Sequence, residues 1–318
     1  MKQSKINNLK LKDFAELFGT SITDIPKVCQ KIIKESDFRY NKLSAKEQTE
    51  LMNRINKKIE DNDFFTAGKK ARSIWQKRWS DQLKNFKAKN FQVEALIPEY
   101  FNKPNSDVYF RFYDGFIKPI DKRFEFNWLR VYRHWLFGKY LKDYDSIYDF
   151  GCGSGINTAI LAHLFPQKKL HCLDWVASSK HIADLMAKKW DWNVSGHVFD
   201  MFNPDYNLRV GQKSAFITYT SLEQMGTQYR AFVEFAIKKK VALCISVDSF
   251  DELYSKTSAL DQLAVKFAEK RNYLRHYLDY LRQLEARKKI KILKIQRIRF
   301  GSIYQDNNSY VLWKPIKN

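Results

Sequence analysis

Residues 148–157 read YDFGCGSGIN and place one acid, Asp149, ahead of three glycines, Gly151, Gly153 and Gly155, spaced two apart. Glycines let the backbone bend tightly and approach a ligand, and a helix that starts behind them offers unpaired N–H groups. A dinucleotide site spaces its glycines GxGxxG, whereas here the pattern is D-x-G-x-G-x-G. A carboxylate two residues before the first glycine repels a pyrophosphate but suits a ligand with a cationic amino group. A second acid, Asp174 in KLHCLDW, follows Gly155 by nineteen residues and precedes Trp175. At the end of the neighbouring strand it can accept both hydroxyls of a ribose. A third, Asp200 in VSGHVFDMF, ends the next strand and can accept from an adenine amine, with Met201 or Phe202 against the ring.

Amino group, ribose and adenine together describe S-adenosylmethionine, and that is the expected cofactor. In open α/β sheets ligands bind beyond the carboxyl ends of the strands. The next two strand ends therefore supply the acceptor candidates. TSLEQMG offers Ser221, assigned to the cofactor, with Glu223 and Gln224, and SVDSFDE offers Asp248. Methyl transfer is an in-line displacement that needs an aligned acceptor and, for a hydroxyl, a proton acceptor. Glu223 and Asp248 are candidates for that base; the alternative for Glu223 is a helix cap or a group orienting the methionine moiety. Arg271 falls on an apolar helical stripe, where an unpaired cation is very costly. It is expected to bind an acidic substrate group or a carboxylate such as Asp248, the alternative being a structural ion pair. Asn272, Tyr273 and His276 are adjacent but point elsewhere on the helical wheel, with His276 a further candidate base or a solvated histidine. Tyr113, in RFYDGF, is a candidate lid residue over the cofactor. The six histidines show no ligand spacing such as HxxxH, so no metal is expected.

The elements that must position these residues alternate from about Ser146 onward. SIYDF, KLHCLDW, VSGHVFDMF, SAFITYT and VALCISVDSF read as strands, with NTAILAHLF, HIADLMAKKW and VEFAIKKK as helices or helix ends between them. Repeated βα units predict a parallel sheet with helices on both faces. A long helix is expected over 259–287, then two strands, KIKILKIQRIRF and SYVLWKP, paired antiparallel at one edge. The first hundred residues read as helical. Ser44 and Glu47 form a capping box, and Leu51, Ile55 and Ile59 make an i, i+4 stripe. Ala71, Trp75, Trp79, Leu83 and Phe86 keep helical spacing and are assigned to the core rather than to a nucleobase platform. Two prolines and a turn cluster in IPEYFNKPNSD, residues 97–107, mark a boundary. The expected division is a helical region over 1–108 and an α/β domain over 109–318.

Residues 146–224 resemble a class I methyltransferase that uses S-adenosylmethionine, the seven-stranded Rossmann-like family with an antiparallel last pair. In that family three strand-end acids serve the cofactor, and by position these match Asp149, Asp174 and Asp200. LDWVASS, FDMFNPD, TSLEQMG, KRNYL and GSIYQDNNSYVLWKP extend the resemblance over 109–315. Over that span the chain is similar to a bacterial group associated with surface polysaccharide and secondary-product pathways. The resemblance implies O-methylation of a sugar, glycan or other anionic small molecule. It departs from the group at the fifth strand, where CISVDSF carries Asp248 in place of the Glu of a His-x-Glu-Pro-like segment, which puts the acceptor or its geometry in doubt.

The net charge is +21, and residues 66–90 hold eight Lys or Arg against one acid, Asp81. An anionic partner is one reading and a solvated basic surface the other. A nucleic-acid methyltransferase with the N-terminal helices as binding module is the second expectation. Against it, strand four reads TYTSLEQ and lacks the Asn/Asp-Pro-Pro-aromatic box used on base amines. A non-catalytic subunit that binds a partner, or another copy of itself, through those helices is the third. No apolar run is long enough to span a membrane, and Cys29, Cys152, Cys172 and Cys244 show no CxxC pairing. A cytoplasmic protein with free thiols is expected.

Overall fold

The computed structural model describes residues 6–61, 64–101 and 108–316. Ten α-helices form among them: α1 (Leu11–Phe18), α2 (Lys27–Glu35), α3 (Ala45–Glu60), α4 (Arg72–Ala88), α5 (Phe124–Tyr140), α6 (Ile156–Leu164), α7 (Ala177–Trp190), α8 (Arg230–Lys238), α9 (Ala259–Arg271) and α10 (Tyr277–Ala286). The strands are β1 (Asn7–Asn8), β2 (Arg39–Lys42), β3 (Phe110–Phe112), β4 (Gly115–Pro119), β5 (Ser146–Phe150), β6 (Lys169–Asp174), β7 (Val194–Val198), β8 (Ser214–Tyr219), β9 (Leu243–Asp248), β10 (Ile290–Gln296), β11 (Phe300–Gly301) and β12 (Ser309–Pro315).

Seven strands form the main sheet in the order β7-β6-β5-β8-β9-β12-β10. β5 to β9 pair in parallel, while β12 runs antiparallel to both β9 and β10. This is the α/β class expected, a Rossmann-like sheet with an antiparallel last pair. β8 and β9 are buried along their whole length, as central parallel strands covered on both faces must be. All three glycines of the corner adopt positive φ, so the chain turns from β5 into α6 within five residues.

The N-terminal region contains the expected helices, and the Ser44–Glu47 capping box forms. It also contributes two strands that its helical periodicity did not announce. β1 and β2 join β4, β3 and β11 in an antiparallel five-stranded sheet. Strands of two and four residues are too short for period-two alternation to show in a sequence. Of the boundary expected over 97–107, residues 102–107 lie outside the described residues.

The expected helix over 259–287 is broken. Asn272 takes φ 52° and closes α9 in the left-handed conformation that asparagine tolerates at a helix C-terminus. α10 then restarts under caps supplied from another loop: Asp251 accepts the His276 N–H at 3.0 Å, and Glu252 accepts the Asp279 N–H at 3.0 Å. α5 is buried on nearly every side, with Trp128, Tyr132 and Trp135 at 0 % exposure. Among the described residues no helix is long and apolar enough to cross a membrane.

Candidate functional site

A cleft of about 400 Å³ opens at the carboxyl ends of β5, β6, β7 and β8. That volume lies in the range of small-molecule sites. Its floor is the glycine corner. A Cβ on Gly151 would lie 2.4 Å from Cβ of Ser221, and one on Gly153 would lie 2.7 Å from the Trp79 ring. Both positions also need positive φ, so larger residues are doubly excluded. Asp174 ends β6 and is pinned by two backbone donors, the Gly153 N–H at 3.0 Å and the Val176 N–H at 2.9 Å. Each carboxylate oxygen keeps further acceptor capacity toward the cleft it lines. Burial pushes this carboxyl up to about 6. Beside it Trp175 stacks on Phe202 with ring centroids 5.5 Å apart, and Met201 completes that wall.

The opposite wall comes from the N-terminal region. Trp75 and Trp79 of α4, stacked with centroids 5.6 Å apart, line the cleft together with Phe65. Trp79 is buried as a core residue, packed against the glycine corner, whereas Trp75 departs from the core assignment and stays half-buried on the cleft wall. Trp75 Nε1 donates to Gln224 Oε1 at 3.1 Å, and Arg72 Nη2 donates to the Trp175 carbonyl at 2.9 Å. α4 is thereby fastened to both sides of the cleft.

Ten of the sixteen candidate positions singled out from the sequence line this space: Gly151, Gly153, Asp174, Trp175, Met201, Phe202, Ser221, Glu223, Gln224 and Arg271. Ser221 donates its hydroxyl to the Phe150 carbonyl at 2.8 Å. The others fall elsewhere, each for a local reason. Asp149 is 1 % exposed behind the glycine corner, where its Oδ1 has no hydrogen-bond partner and burial pushes the carboxyl up to about 7. Gly155 faces Met186. Asp200 turns back to accept the Phe202 N–H at 2.9 Å. Asp248 is 0 % exposed and accepts the Leu222 N–H at 3.2 Å, so it supports the turn that carries Glu223 without lining the cleft. Tyr113 lies in a separate groove with Glu16, Tyr40 and Phe112, not over the cofactor corner. His276 is exposed at the start of α10, its Nδ1 3.9 Å from Asp251, and is not a base for this cleft.

At the other end of the cleft Glu223 accepts from Gln224 Nε2 and Gln305 Nε2, each at 3.2 Å. Burial pushes its carboxyl up to about 7, although Arg271 pulls the other way. Arg271 reaches the cleft without pairing with Asp248. Its Nη2 donates to the Tyr273 hydroxyl at 2.5 Å, and the Phe65 ring centre lies 4.0 Å from its guanidinium carbon. Tyr273 lines the cleft because α9 ends at Arg271; on a continuous helix it would point away.

Three further contributors had weak sequence signals. Arg133, in the apolar run NWLRVYRHW of α5, is 5 % exposed and lines the cleft over the Tyr219 ring at 4.6 Å. Arg133 falls among Trp128, Tyr132 and Trp135 on a helix that also carries Arg130, so its burial had little signal in the sequence. Thr220 lines the cleft at φ 52°, a costly conformation for a β-branched residue. Asn307 arrives from the loop before β12.

No described protein family matches the chain, and no curated protein matches it. The solved structures to which it is similar include one described by the conversion of a disulfide into a thioacetal during echinomycin biosynthesis. That likeness has 15 % identity and a TM-score of 0.41, over 57 % of this chain and 80 % of the other. An O-methyltransferase from neocarzinostatin biosynthesis, bound to S-adenosylmethionine and 2-hydroxy-5-methyl naphthoic acid, is 12 % identical at a TM-score of 0.42, over 61 % of this chain. A dimethyltransferase acting on 8-amino-8-demethyl-D-riboflavin, from Streptomyces davawensis, is 15 % identical at 0.43, also over 61 %. The chain spans 58 % and 56 % of the length of the last two.

Proposed function

We propose that this protein transfers a methyl group from S-adenosylmethionine to a hydroxyl of an anionic small-molecule acceptor. One observation carries the reading: a single cleft joins a glycine corner and strand-end carboxylate at one end to a half-buried, partly desolvated Glu223 at the other. The cofactor supplies an electrophilic methyl on a sulfonium. Asp174 accepts the ribose hydroxyls, and Trp175, Met201 and Phe202 flank the adenine. Gly151 and Gly153 let the backbone approach, and Arg133, above Tyr219 beside the corner, takes the methionine carboxylate. Asp149 contributes through its field behind the corner rather than by contact. Glu223, poised near neutrality, accepts the acceptor proton. Asp248 holds the Glu223 turn in place.

The walls Phe65 and Trp75 suit a flat ligand face, and a sugar or glycan acceptor is accommodated by the same surfaces. The nucleic-acid alternative rests on the exposed lysines of α4, whose tryptophans are already committed to the cleft. The direct test is transfer of labelled methyl by the purified protein into host extract split into nucleic-acid, protein, glycan and small-molecule pools. Nuclease-resistant label in the glycan or small-molecule pool supports the reading. Label confined to a nuclease-sensitive pool, or none in any pool, defeats it.

A further inference from the structure

Two buried arginines line the cleft without closing an ion pair. Arg133 and Arg271 are 5 % and 8 % exposed, and neither forms an ion pair among the described residues. Nε and Nη1 of Arg133 and Nε of Arg271 have no hydrogen-bond partner. Burial raises the carboxyls of Glu223, beside Arg271, and Asp149, toward Arg133, while the two arginines pull them back down. Leaving two such cations uncompensated is expensive. The cleft therefore has two separate places for an anion. The cofactor of the proposed function carries one carboxylate, which Arg133 receives at the glycine corner, leaving Arg271 over.

The surroundings of Arg271 restrict what it accepts. Ring centres of Phe65 and Tyr273 lie 4.0 and 4.7 Å from its guanidinium carbon, with Phe64 and Phe267 at 5.6 and 5.7 Å. Its Nη2 is already committed to Tyr273. Rings crowd the guanidinium, and a free edge remains. A planar carboxylate meets such an edge in its own plane. A tetrahedral phosphate carries oxygens outside that plane and needs more room among the surrounding rings.

We infer, resting on the proposed methyl transfer, that the acceptor is an aromatic hydroxy acid, its carboxylate on Arg271, its ring against Phe65 and Trp75, its hydroxyl at Glu223. On transfer the acceptor O–H bond breaks and its proton passes to Glu223. The oxygen forms a bond to the methyl carbon as the S–C bond breaks, and the sulfur keeps that electron pair as a neutral thioether.

The test uses the full chain loaded with S-adenosylhomocysteine and titrated by calorimetry with benzoate, benzamide, cyclohexanecarboxylate and phenyl phosphate. Benzoate is expected to bind at least about tenfold tighter than benzamide, as a lost charge-assisted contact implies, and tighter than the other two. Arg271→Gln should erase the preference over benzamide and Arg271→Lys should retain part of it. Both variants should bind S-adenosylhomocysteine like the parent, which also verifies their fold. Equal binding of benzoate and benzamide, a preference that survives Arg271→Gln, or no binding of any probe overturns the inference. So does a stronger grip on phenyl phosphate or cyclohexanecarboxylate, or loss of S-adenosylhomocysteine from both variants. If the parent fails to bind S-adenosylhomocysteine yet keeps an Arg271-dependent benzoate preference, the cofactor reading falls and the acid site stands.

Discussion

The two ends of the cleft are built differently. At the cofactor end Asp174 is fixed by backbone donors from its own strand end and the adjacent corner, and the corner is a continuous stretch of chain. At the acceptor end Phe65, Trp75, Glu223, Arg271 and Asn307 arrive from five separate segments. Side-chain hydrogen bonds such as Trp75 to Gln224 and Gln305 to Glu223 hold them in register. One end is specified by local backbone geometry and the other by tertiary assembly. Substitutions at the first should strike binding, and those at the second should strike turnover.

The sharpest break of that contrast is Glu223→Gln. As general base its loss should lower kcat by about 10²–10⁴-fold, with S-adenosylhomocysteine affinity unchanged in calorimetry. The parent rate should rise with pH and level off above about 7, because only the deprotonated carboxyl, pushed up to about 7 by burial, accepts a proton. Asp174→Ala comes next. It strands two backbone donors and removes the ribose acceptor, which should weaken S-adenosylmethionine binding by about 100-fold or more; unchanged affinity would remove the cofactor assignment.

A third test addresses together two carboxyls that the fold raises, one at each end. Asp149 and Glu223 rise from 3.8 and 4.5 to about 7 in the fold. The folded chain thus binds more protons than the unfolded chain across that window. This contribution to stability is complete below the unfolded values and lost as pH rises through about 7. The urea midpoint of the ligand-free protein should fall between pH 5 and 7.5, and Asp149→Asn should flatten the slope. Trp75→Phe keeps a ring but removes the donor to Gln224; a drop in kcat/KM of about fivefold is expected, with cofactor affinity retained. Smallest of all, His276→Ala alters an exposed residue outside the cleft and should change neither kinetics nor stability beyond about 0.5 kcal/mol. A larger kinetic effect would return it to the mechanism.

The same contrast governs what could be read from the sequence. Asp174 and the glycines were legible because strand, turn and helix are consecutive, so spacing translates directly into position. The parallel sheet followed from the βα alternation, and the antiparallel edge from the absence of a helix between the last two strands; the seven-stranded form was what the family resemblance implied. Asp149, Asp200 and Asp248 occupy the expected strand ends, but which way a strand-end carboxyl turns depends on nearby N–H donors, as at Phe202 and Leu222. Tyr273 was misplaced because the break at Asn272 depends on caps from Asp251 and Glu252, some twenty-five residues away. Trp75 and Trp79 have a core-like period, and only the approach of α4 to Gly153 reveals the surface they serve.

The insertion of β12 between β9 and β10 has a consequence for how the molecule comes into being. β10 precedes β12 in the chain, yet it has no place on the sheet until β12 has docked against β9. A ribosome that has released residues up to 296 therefore presents β9 as a naked edge, with β10 tethered nearby and nothing to pair with. Nascent chains stalled in that interval would offer an open backbone template to one another. Those stalled after residue 315 would not.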